Sequence, residues 1–219
     1  MFRYMIASLI CVCLTITSME AAKKPKEEIK NWLFLNDTSL GASWSSIGDT
    51  GYISVDLGYS LTIATYAPTG GVRRTFGLDI EVPLYVSALG SSNGITSGDK
   101  ISESLGWGVV LPLTIGIEAK NFWLKGLFGY TYNEISEGFD VASNKQSIVK
   151  INMRYHGFTY GVQLGWRYKN ILNLGLKAMF GKLQNTARNA NGSGLETAIQ
   201  SKDRQYNLMR FGGFASITF

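Results

Sequence analysis

Downstream of residue 13 the chain has no cysteine. Its two, Cys11 and Cys13, sit inside an apolar run near the N-terminus. Disulfides are thereby excluded as the stabiliser of everything that follows. A single histidine, His156, and no downstream thiol leave no ordinary zinc site. No Gly-rich phosphate loop or dinucleotide fingerprint is present, so no cofactor is implied. Charge is sparse: 17% of the 219 residues carry one, and the net +5 is spread along the chain. That lacks the basic runs of a nucleic-acid binder, so no nucleic-acid partner is expected. After residue 20 no stretch offers the about 18 unbroken apolar residues of a membrane-spanning helix.

The N-terminus differs. Arg3 precedes an apolar run over residues 5–16, and small and polar residues follow. This reads as a secretory signal peptide over residues 1–21. Residues 22–37, with KKPKEEIK at 23–30, read as a polar periplasmic leader, with an early strand or a tether at 31–35. Residues 38–219 form the remaining domain.

What the sequence has in quantity is glycine, 25 residues, and strict alternation. In SLGWGVVLPLTIGIEAKNFW, residues 104–123, every second position from Leu105 to Ile117 is large and apolar, and most residues between are small. Eight such period-two segments are expected as strands, at residues 38–46, 52–66, 75–87, 104–117, 122–133, 154–168, 171–182 and 205–219. Connections at 67–74, 118–121 and 169–170 are short. Those at 88–104, 134–147 and 183–204 are long and polar, and 47–51 is the short exception. Short turns on one side and long loops on the other suit an eight-stranded antiparallel up-and-down transmembrane β-barrel. Each segment has the length to cross, since about 9–11 tilted residues suffice. A water-soluble eight-stranded barrel is the alternative. The interior of so narrow a barrel has room for few side chains, so the Gly-, Ser- and Thr-rich face belongs inside and the bulky face meets lipid.

With this pattern the chain resembles the small eight-stranded outer-membrane proteins of bacteria, the OmpA/OmpX-like and OmpW-like class. The resemblance spans residues 38–219 and rests on alternation and on the ending RFGGFASITF. It implies residence in the bacterial outer membrane, contact with outer-membrane lipid, and insertion by the barrel-assembly machinery. Phe211, Ile217 and Phe219, on one face of the last segment, look like the assembly signal that this machinery reads.

Alternation also assigns charges to the lumen: Asp56, Asp79, Glu81, Lys125, Lys177 and Arg210, with Glu118 and Arg167 near the short-turn end. Buried charges need partners, so cross-lumen ion pairs are expected among Glu81, Asp79, Lys125, Lys177 and Arg210, plugging the barrel. Pro83 and Pro112 fall mid-strand on neighbouring segments. They mark either a local bulge or a candidate lateral seam, because proline removes a ladder donor. His156 shares parity with Phe158 and Tyr160 and is expected to face outward at the rim. The residue two places after it is Phe158, where a lipid A deacylase would carry serine, so no catalytic residue is assigned. Trp107, Tyr130, Tyr132, Trp166 and Tyr168 read as interface girdles.

The leading function is a charge-plugged anchor for polar surface loops that bind host, extracellular or envelope partners. A narrow channel or lateral-release transporter for small apolar or ionic solutes is the second reading, and a rim lipid A-modifying enzyme the third.

Overall fold

The computed structural model describes residues 32–65, 71–90, 101–140, 148–169, 171–186, 188–191 and 204–219. The expected signal peptide, most of the expected leader and much of the three long connections lie outside the described residues.

The strands are β1 (Trp32–Ile47), β2 (Thr50–Thr65), β3 (Val72–Gly90), β4 (Ile101–Ala119), β5 (Phe122–Asp140), β6 (Ile148–Tyr168), β7 (Leu172–Asn185), β8 (Arg188–Asn191) and β9 (Arg204–Thr218). All pairings are antiparallel. Neighbours in sequence pair from β1 to β7, β7 pairs with β9, and β9 returns to β1. Eight strands therefore close a barrel with no free sheet edge along most of its height. The four-residue β8 pairs with the upper end of β6 on the edge that β7 holds lower down, continuing β7's place in the wall.

The expected leader boundary is too late by several residues. β1 already pairs with β2 at Trp32↔Thr65, so residues 32–37 belong to the barrel wall. Of the two readings of residues 31–35, an early strand or a tether, β1 matches the strand from Trp32 onward, and the polar run Asn36 to Ser39 interrupts the alternation that would have joined it to residues 38–46.

Three hairpins are tight: Ile47↔Thr50 closes β1–β2 around Gly48 and Asp49 at one end of the barrel, and the other two lie at the opposite end. Ala119↔Phe122 closes β4–β5 around Lys120 and Asn121, and β6–β7 turns after Tyr168. Lys120 (φ 54°) and Lys169 (φ 50°) both occupy the left-handed region. These turns mark one end of the barrel, here the turn end. The opposite, loop end carries the long connections.

The wall changes polarity with height. On β5 the outward residues Leu124, Phe128 and Tyr130 are exposed, while Lys125, Thr131 and Asn133 are buried inside. Above Asn133 the pattern inverts: Ile135 is buried inside, and Glu134 and Ser136 face out. The same inversion occurs on β6 between Phe158 (out) and Tyr155, Met153 and Ile151 (in), on β7 between Phe180 and Leu183, and on β9 between Met209 and Leu208. The apolar-out stretches are residues 122–132, 158–168, 172–180 and 209–219, nine to eleven residues each. That is the length that crosses a bilayer core when tilted. Above it the strands continue as an ordinary water-facing barrel with an apolar core.

Candidate functional site

The lumen is the part of the barrel where sequence reasoning placed chemistry, and it is filled at three levels. At mid-height Asp56 on β2, Glu81 on β3, Lys177 on β7 and Arg210 on β9 converge across the interior. Lys177 Nζ contacts the Glu81 carboxylate and lies 3.3 Å from Asp56 Oδ2. Arg210 Nη2 lies 2.6 Å from Asp56 Oδ1 and 2.5 Å from Glu81 Oε1. The guanidinium also donates through Nε to Ser43 Oγ at 2.9 Å, and Ser54 Oγ donates to Asp56 Oδ1 at 2.8 Å. Two carboxylates and two cations thus share one polar layer. Alternate strand positions aim them inward. Gly212 makes the room, since a Cβ there would stand 2.7 Å from Ser43 Cβ and 3.2 Å from Lys177 Cε.

Toward the turn end Arg167 Nε lies 3.7 Å from Glu118 Oε1 and donates to Asn173 Oδ1 at 2.8 Å. Its Nη2 lies 4.0 Å from Asp37 Oδ2. Asn173 Nδ2 reaches Asp37 Oδ1 at 3.1 Å, Ser216 Oγ at 3.0 Å and Thr218 Oγ1 at 2.9 Å, and Thr218 also donates to Asp37. This second layer joins β1, β4, β6, β7 and β9.

Asp79 and Lys125 were expected in the ion-pair network, yet each takes neutral partners. Asp79 accepts from Ser60 at 2.5 Å and from Gln163 Nε2 at 3.3 Å. Lys125 Nζ donates to Thr62 Oγ1 at 3.0 Å and sits 5.5 Å over the Trp123 ring. In place of a direct ionic contact, two hydroxyls of β2 take one each, Ser60 at Asp79 and Thr62 at Lys125, and the Gln163 amide of β6 adds a second donor to Asp79. Asp37 is a network member that alternation missed, because the segment reading began at residue 38. Trp123 and Phe214 are further lumen residues that it missed. Their rings pack at 6.0 Å between the two charged layers. Trp123 lies over Gly165, where a Cβ would meet its ring at 2.3 Å.

The third level, at the loop end, is apolar. Ile47, Tyr52, Tyr85, Ile135, Met153 and Leu183 belong to one buried cluster inside the barrel, none more than 1% exposed. Tyr52 donates to Glu137, and Tyr85 donates to Asn133 Oδ1 at 2.8 Å, so the phenols satisfy buried acceptors within the plug. A small polar interior does not extend this high.

Pro83 and Pro112 face one another's strand boundary. After Leu78↔Leu113 the β3–β4 register resumes only at Glu81↔Val110 and then at Leu84↔Trp107, always in the same frame. Neither proline is therefore a bulge between these strands. The bulge lies nearby, where Ile53↔Ser87 is followed by Ser54↔Tyr85 and Val86 is left over. Pro83 keeps its place opposite Asp56 on β2, and Pro112 opposite Gly129 on β5. Lacking an N–H, each can do so only in a non-hydrogen-bonded pair, which turns its nitrogen toward the β3–β4 boundary.

His156 faces outward. Its Nδ1 is 2.7 Å from the Tyr130 hydroxyl, and its ring centroid lies 6.1 Å from that of Tyr130. Trp107–Tyr132 at 5.7 Å marks the same upper level, and Trp166–Tyr168 at 5.6 Å the lower one. Phe211 stacks on Trp44 at 6.3 Å across β1 and β9, and Ile217 and Phe219 are exposed on the outer face of β9.

A closed barrel with an apolar belt outside, charged layers inside, aromatic girdles and long connections at one end is an integral outer-membrane β-barrel. No protein-family model matches the sequence, and no curated protein sequence matches it. Among solved structures the chain is similar to Ail, the attachment invasion locus protein of Yersinia pestis, in complex with the heparin analogue sucrose octasulfate. That match has 12% identity, covers 85% of this chain and 99% of that one, and has a TM-score of 0.41. A major outer membrane protein from Thermus thermophilus matches with 15% identity over 84% of this chain and 99% of that one, TM-score 0.44. The outer membrane protein OprG from Pseudomonas aeruginosa matches with 12% identity over 85% and 95%, TM-score 0.41.

Proposed function

We propose that this protein is a closed membrane anchor, whose barrel holds polar surface segments above the outer leaflet for contact with host, extracellular or envelope partners. The observation that carries this reading is the filling of the lumen at three levels, charged, charged and apolar. A solute path would have to break the central ion cluster and expel the apolar plug. Above the bilayer, meanwhile, β5 and β6 stay paired as far as Asp140↔Ile148, so the wall itself rises clear of the hydrocarbon belt. Replacing residues 91–100 and 192–203 with short Gly-Ser turns tests the reading. Bacteria displaying the shortened barrel are expected to lose attachment to host-cell or matrix-coated surfaces while keeping the folded protein. Undiminished attachment would sink it.

A second reading, lateral release of a small apolar solute, has its own support. The β3–β4 ladder loses both hydrogen-bonded pairs flanking Glu81↔Val110, at the level just below the apolar plug. If the seam opens, Pro83→Ala with Pro112→Ala lowers uptake of an apolar dye into cells. Equal uptake by variant and parent rejects the seam.

A further inference from the structure

On the outer wall, where β6, β7 and β9 cross the polarity inversion, lies a groove with two unlike halves. Its lower half is apolar, built from Tyr160, Phe180 and Met209. Its upper half is lined by His156, Lys182, Gln184, Gln205 and Asn207. Register places Lys182 opposite Asn207 and Gln184 opposite Gln205, so these polar groups form a compact cluster rather than a scatter. Lys182, Gln184, Gln205 and Asn207 are all exposed. Among the described residues no carboxylate is paired with Lys182. His156 is oriented by its Nδ1 contact with Tyr130, which leaves Nε2 for another partner.

The height of this cluster constrains its occupant. Phe158, directly below His156 on the same face, is 64% exposed and in the hydrocarbon belt. The polar cluster therefore stands at headgroup level, on the loop side, and whatever fills the groove has a fatty part below and a polar part above. One cation and three side-chain amides ask for a headgroup with both an anionic group and hydroxyls. A phosphate fits the ammonium, and sugar hydroxyls fit amides, which donate and accept at once.

We propose that this groove seats one phosphorylated glycolipid of the outer leaflet, with a phosphate at Lys182 and His156, sugar hydroxyls at Gln184, Gln205 and Asn207, and an acyl chain along Phe180 and Met209. The site would fix lipid to the β6–β7–β9 face, away from the β3–β4 seam.

The test uses the protein purified in maltoside micelles and titrated with lipid A, with retained copies counted by native mass spectrometry. One copy is expected to stay bound to the parent protein. Lys182→Gln is expected to weaken retention about tenfold, the loss of one charge-assisted contact. Dephosphorylated lipid A should show a like loss on the parent and no further loss on the variant. Asn207→Ala should weaken lipid A but leave phosphatidylglycerol unchanged. Lys120→Gln, an exposed lysine in the turn at the other end, serves as the control with parent-like binding. Equal retention by Lys182→Gln overturns the proposal, and so does displacement of lipid A by an equal concentration of phosphatidylglycerol. Because Lys182 is exposed and outside the core, its substitution leaves folding intact, which unboiled gel migration checks.

Discussion

Replacing Lys177 with methionine removes one of two cations from the central lumen layer. The Asp56 and Glu81 carboxylates then share Arg210 alone, with Arg210 and Asp56 both 3% exposed or less. Methionine is close to lysine's stem in volume, so the change isolates charge from packing. Breaking a buried ion pair by deleting one partner costs roughly 3–5 kcal/mol, because the charge left behind stays desolvated. Exposed pairs are worth far less, about 0–1 kcal/mol, so the magnitude separates a buried network from a hydrated lumen. The assay is urea unfolding of the protein in phospholipid vesicles, followed by tryptophan fluorescence. The double substitution Lys177→Met with Glu81→Leu restores charge balance and should recover more than about 1.5 kcal/mol of the single loss, within the range of coupling for residues in contact. A loss below about 1 kcal/mol for Lys177→Met, or strict additivity in the double variant, would refute the reasoning.

Three further outcomes test other parts of the structure. Gly175→Val should block folding, because its side chain meets the Phe214 ring, 2.5 Å from a Cβ at that position, and adding Phe214→Ala should restore the folded gel band. Pro112→Ala returns a donor to the β3–β4 boundary and should slow amide exchange of the β3 segment around residues 79–83 by about 0.5–1.5 kcal/mol, the net worth of one hydrogen bond. Unchanged exchange would mean that the boundary is held by other means. Cysteine introduced at Arg154 should react with a membrane-impermeant maleimide on intact cells, whereas one at Phe158 should not; equal labelling would misplace the polarity inversion.

The segments found by alternation end at residues 133 and 182 and begin at 154 and 205, next to the levels where the wall inverts. The reason is physical. Period-two reading seeks one phase, with apolar residues outward, and that phase holds only in lipid. In IVKINMRYHGFTYG the apolar positions shift from Ile151, Met153 and Tyr155 to Phe158 and Tyr160, so the strand continues in one phase while its apolar face changes from the interior side to the lipid side. The shift itself is in the sequence and would have shown where β6 leaves the membrane. The inward charges were legible because Asp, Glu, Lys and Arg in an otherwise small face are conspicuous. Which of them pair was not, since Lys125 and Lys177 differ only in which strands face them across the lumen. Asp37 escaped because β1 opens on an unbroken apolar run, Trp32 to Leu35, followed by the polar run Asn36 to Ser39, so no alternation marks its start. Trp123 and Phe214 escaped because large rings inside a narrow barrel depend on glycines of other strands, a relation that no local pattern carries.

The most direct test of a closed anchor is single-channel recording of the folded protein in planar bilayers, with Lys177→Met and Leu183→Ala recorded beside it. A closed lumen predicts no discrete openings for the parent and, at most, rare ones when the ion layer or the apolar plug is cut. Steady openings in the parent protein, changed in size or frequency by Lys177→Met, would contradict the account and make the central layer the gate of a pore.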